Sequence, residues 1–115
     1  MEVKKMYING EWIESESKKT REVINPANGE VIALTAEGTK NDVDMAIEAA
    51  RVSFYETGDW RRMNSQERAD ILLKIADKID EYRDEFARLD TIDNGKPLRE
   101  AEGDIDDGIH CFKYY

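Results

Sequence analysis

The chain has 115 residues, 37% charged and 40% hydrophobic, with seven glycines, two prolines and a formal net charge of -9 at pH 7. That is the size of one ordinary globular domain or of a piece of a larger one. Its acidity, with no clustered basic surface, excludes a nucleic-acid partner. The single cysteine, Cys111, excludes an internal disulfide. No window holds the ~20 apolar residues that a bilayer crossing needs, and with no apolar signal stretch after Met1 the expected location is cytoplasmic.

Asn9-Gly10 stands between two short apolar runs, Met6-Tyr7-Ile8 and Glu11-Trp12-Ile13. A tight hairpin turn needs positive φ at both of its central residues, so this spacing predicts a β-hairpin. Ser15 to Thr20 is polar and breaks the pattern. Arg21 to Ile24 resumes an extended run that ends in a turn at Asn25-Pro26, and Val31 to Leu34 reads as a further strand. The first 36 residues are therefore β-ribbons, with too few large side chains to form a core unaided.

From Asn41, read as the N-cap, Val43, Ala46, Ile47, Ala50 and Phe54 recur at helical spacing, predicting a helix over 41–56 that Gly58 ends. Asn64 and Glu67 have capping-box spacing and open a second helix over 64–94, with Leu72, Ala76, Ile79, Phe86 and Leu89 along one face and Asn94-Gly95 at its end. Pro97 fits the first turn of a third helix over 97–115, striped by Leu98, Ala101, Ile105, Ile109 and Phe112. Trp12 and Trp60, each beside a turn, are expected to anchor the core.

Motifs that carry chemistry are nearly absent. Asp104 to Gly108 lacks the alternating ligands and closing glutamate of a calcium loop. His110 and Cys111 are consecutive on a helix, point about 100° apart, and so do not form a nucleophile and base. Asn94-Gly95-Lys96-Pro97 reads as ordinary capping. From Asp77 to Asp107 there are 12 acidic against 5 basic residues, which reads as a solvated face.

Several segments, in this order, resemble the amino-terminal region of the aldehyde dehydrogenase superfamily. They are Ile8-Asn9-Gly10-Glu11-Trp12, then Val23 to Ala33, Ala36-Glu37-Gly38-Thr39, and Asp42-Val43-Asp44 with Ala46, Ala49 and Ala50. Trp60, Glu67-Arg68-Ala69, Leu72, Leu73, Ile75 and Ala76 follow, and then Asp93-Asn94-Gly95-Lys96-Pro97 with Glu100, Ala101 and Asp104. The wording of these segments is most similar to the betaine-aldehyde branch.

The resemblance implies an α/β fold in which residues 1–115 form the amino-terminal portion of an incomplete Rossmann-like NAD-binding domain, with β-ribbons over 1–36 followed by the three helices. It also implies oxidation of an aldehyde to the carboxylate by an NAD(P)-dependent oxidoreductase, through a cysteine nucleophile and a carboxylate base, in a protein that is a homo-oligomer. The family's Gly-Gln-x-Cys, Glu-Leu-Gly-Gly and Pro-Trp-Asn segments and its glycine-rich cofactor loop have no counterpart here, so no catalytic or cofactor-binding residue carries over and the chain alone is expected to be inactive.

One set does carry over. Similar enzymes hold a monovalent cation, potassium or sodium, on carbonyls that correspond to Val23 and Ile24 and on an aspartate that corresponds to Asp93. Two other readings stay open: a stand-alone acidic helical interaction module, in which Ile109, Phe112 and Tyr115 form an uncovered patch, and one half of a split enzyme.

Overall fold

The computed structural model describes residues 2–115 as two compact units. The chain up to Ile24 together with Glu30–Arg62 forms the first, and Asn25–Gly29 with Met63–Tyr115 forms the second.

In the first unit, β2 (Met6–Ile8) and β3 (Glu11–Ile13) pair antiparallel around Asn9-Gly10. Asn9 and Gly10 have φ of 52° and 83°, the double positive φ expected of the turn. A second sheet has the order β1-β5-β4, built from Val3–Lys4, Val31–Ala36 and Thr20–Ile24. β4 and β5 are the antiparallel ribbon read from the sequence. The parallel partner β1 was not expected, because a two-residue strand carries no periodicity. The β4–β5 register shifts between Val23 and Ile24, a bulge that skips Ile32.

α1 runs Lys40–Val52, and its N-cap is Thr39 rather than Asn41. The Thr39 side chain accepts from the Asp42 amide while the Asp42 carboxylate accepts from the Thr39 amide, whereas the Asn41 side chain donates to Glu16 and Asp44, three residues after it, pairs with Lys40. The helix then widens into a π-turn, Ser53–Thr57, closed by Gly58 at φ 66°. A short α2, Asp59–Arg62, follows.

In the second unit, α3 (Ser65–Glu81) opens with the Asn64–Glu67 capping box read from the sequence. The helix expected over 64–94 is not continuous. It breaks at Tyr82, whose φ of -105° and ψ of 17° leave the helical region, and restarts as α4 (Arg83–Asn94). Neither glycine nor proline marks the break. A tertiary contact coincides with it: Arg83 Nε and Nη2 donate to the two carboxylate oxygens of Asp106 at 2.6 and 2.8 Å. α5 spans Leu98–Tyr114, and Pro97 sits at its N-cap with extended ψ rather than inside the first turn.

The core of this unit is made mostly of methyl groups. Ala76, Ala87 and Ala101 are fully buried, one on each of α3, α4 and α5. Small residues let helix backbones approach closely, at the cost of the apolar area that larger side chains would bury. Phe86 and Leu89, expected on the buried face, are 41% and 49% exposed, whereas Ile109, expected in an uncovered patch, is only 5% exposed. The two tryptophans are not core anchors: Trp12 packs at a tilt against Tyr7 across the hairpin, ring centroids 5.0 Å apart, and remains 68% exposed, and Trp60 is 42% exposed.

Candidate functional site

The three residues singled out for a cation fall in different units. Val23 and Ile24 end β4 at the bulge in the first, and Asp93 is exposed in the last turn of α4 in the second. The bulge leaves Ile32 of β5, not Val23 or Ile24, without a partner in the ladder. Beside Asp93, Asp90 accepts from Asn94 Nδ2 at 2.6 Å, and Lys96 bridges Asp90 and Asp104. Lys96 thus offsets only one of the two negative charges of Asp90 and Asp104.

Gly95 explains the Asn-Gly of this turn. Its φ of 81° is the left-handed cap of α4, and a Cβ built there would lie 2.9 Å from Pro26 Cγ. The Asn25–Gly29 turn is closed by the amide of Gly29 donating to the Asn25 carbonyl at 2.8 Å, and the Asn25 side chain accepts from the amide of Ala27. Within the second unit, therefore, the Asn-Pro turn lies against the Asn-Gly cap, and only a residue without a side chain fits between them.

The most enclosed polar group is one that the sequence reading did not single out. Asp42 is 1% exposed, and its carboxylate accepts from the amides of Thr39, at 2.7 Å, and Glu16, at 3.2 and 3.3 Å. The Glu16 carboxylate in turn accepts from Thr39 Oγ1 at 3.1 Å and from Asn41 Nδ2 at 3.0 Å. Backbone hydrogen bonding, first from Thr39, holds the Asp42 carboxyl below its usual range against the opposing effect of burial. This network fastens the Ser15 to Lys19 segment to the start of α1. Its signal in the sequence was the Thr-x-x-Asp spacing, obscured by Asn41. All its acceptors are occupied by the protein itself, so its role is to hold the loop.

His110 and Cys111 are both exposed on α5, and Cys111 borders a small apolar recess with Leu72, Phe112 and Tyr115. A larger open groove of about 640 Å³ lies between the β2–β3 hairpin and α1, lined by Ile8, Ile13, Met45, Ala49 and Val52 with acids at its rim. Neither place brings a nucleophile together with a base. Among the described residues no three His, Cys, Asp or Glu side chains are grouped to hold a metal. No helix among the described residues is long and apolar enough to cross a membrane.

Residues 12–115 match the Aldehyde dehydrogenase family. Among similar curated proteins, aminoaldehyde dehydrogenase 2 of Solanum lycopersicum is 46% identical over 97% of this chain and 22% of its own length. Betaine aldehyde dehydrogenase of Bacillus subtilis is 43% identical over 96% of the chain and 22% of its own length. Among solved structures, betaine aldehyde dehydrogenase of Staphylococcus aureus in complex with NAD+ superposes with a TM-score of 0.93 at 48% identity, over 96% of this chain and 22% of that one. The chain thus spans about a fifth of the length of the relatives that it matches.

Proposed function

Because the chain belongs to the aldehyde dehydrogenase family, we propose that it supplies the amino-terminal framework of an NAD(P)-dependent enzyme that oxidises an aldehyde, of the betaine-aldehyde or aminoaldehyde kind, to its carboxylate. The observation that supports this reading is the superposition of 96% of this chain on 22% of NAD+-bound betaine aldehyde dehydrogenase. Hydride transfer from a covalent thiohemiacetal needs a thiolate nucleophile, a base and a bound nicotinamide. Cys111 is no candidate for the first: it is an exposed helix residue, and its neighbour His110 points elsewhere. The chain on its own is therefore inactive, and the oxidation belongs to a protein that includes the rest of the family fold and assembles as a homo-oligomer.

From the resemblance to the family we infer that the Val23 and Ile24 carbonyls and the Asp93 carboxylate are the oxygens with which such enzymes take a potassium or sodium ion. Oxygen-only donors suit a hard cation. What supports the assignment is the resemblance together with the chemistry of the donors, two backbone carbonyls at the end of β4 and the exposed carboxylate of Asp93.

The test of the activity is to incubate the purified chain with NAD+ or NADP+ and a panel of aldehydes including betaine aldehyde, and to follow NAD(P)H formation. The same assay is then run on a chimera in which these residues replace the matching segment of the Staphylococcus aureus enzyme. The expected result is no turnover by the chain and oxidation by the chimera. Turnover by the chain that is abolished by Cys111→Ser would overturn the reading, as would a folded chimera without activity.

A further inference from the structure

We draw no further inference here: the strongest candidate, the open apolar groove between the β2–β3 hairpin and α1 lined by Ile8, Ile13, Met45, Ala49 and Val52, carries nothing because two of its rim acids, Asp44 and Glu48, are already paired with Lys40 and Arg51 and nothing in the structure shows what covers it.

Discussion

Gly95 and Gly103 separate two meanings of one residue type. At Gly95 a side chain faces both a positive φ and Pro26 Cγ at 2.9 Å, while at Gly103, inside α5, an added Cβ meets nothing within 4 Å. Gly95→Ala is expected to destabilise the second unit by about 1 to 3 kcal/mol, the usual cost of a strained backbone position. Gly103→Ala is expected to stabilise it by roughly 0.5 to 1 kcal/mol, the helix-interior gain over glycine. Urea denaturation of the two variants checks both, and equal effects of the same sign would refute the assignment of Gly95. The turn was legible in the sequence because Asn-Gly before Lys-Pro is capping chemistry. The close approach of Pro26 was not, since residues almost 70 apart leave no local trace of their contact. Asp42 shows the same limit. Its spacing from Thr39 is visible, but its burial and its bond to the Glu16 amide depend on how the Ser15 to Lys19 segment folds back. The depressed pKa of Asp42 fixes a sign: the folded chain favours the carboxylate, so this stabilisation is complete above the ordinary aspartate range and is lost as pH falls through the lowered value. Denaturation midpoints should therefore drop as pH falls below about 4. Asp42→Asn should flatten that drop, and an unchanged pH profile in the variant would refute the assignment.

At the scale of elements, the reading held where a cap was a local pair and failed at Asn41, at Pro97 and at the break in the long helix. Asn64 with Glu67 fixed the start of α3 because a capping box is a local, reciprocal pair of hydrogen bonds. Asn64→Ala is expected to cost about 1 kcal/mol, within the usual range for loss of an N-cap. A thermal melt monitored by circular dichroism measures it, with exposed Gln66→Ala as the near-neutral comparison. The break at Tyr82 escaped because Ile79, Tyr82 and Phe86 keep an unbroken helical spacing through it. What accompanies it instead is the Arg83–Asp106 pair, a bidentate contact between α4 and α5 that lowers the Asp106 pKa. If the pair fixes where α4 restarts, Arg83→Ala and Asp106→Ala should each weaken the unit and together do no more than one alone. A double-mutant cycle that returns simple additivity would remove the pair from this role. The strands follow the same logic. The Asn9-Gly10 hairpin was legible from its turn, whereas β1 depends wholly on a long-range partner, β5.

For the molecule as a whole, the decisive quantity is apolar surface that finds no cover. Leu73, Ile75, Phe86, Leu89 and Leu98 are between 37% and 49% exposed in the second unit, whose fully buried side chains are alanines. In the first unit, Val43, Met45 and Ile47 on α1 are between 49% and 61% exposed. Full burial of one large apolar side chain is worth roughly 1.5 to 3 kcal/mol, against a total domain stability of about 5 to 15 kcal/mol. Leaving eight such groups half covered forgoes an amount comparable with that whole margin. The amphipathic stripes were correctly placed on helices from the sequence, but periodicity reports which face is apolar and not what it meets. The family relatives, with about five times the chain length, have further structure available to pack against such faces. In isolation the same faces can be satisfied only by loosening or by meeting another copy, and the net charge of -9 opposes the second more at low salt than at high. The isolated chain should therefore give a broad thermal transition and bind a hydrophobic dye, and raising the salt should increase its sedimentation coefficient in a concentration-dependent manner. A sharp transition that is independent of concentration, with a monomeric sedimentation profile at every salt level, would mean that the two units satisfy their own apolar surface. The framework role would then have to be given up in favour of a self-sufficient domain.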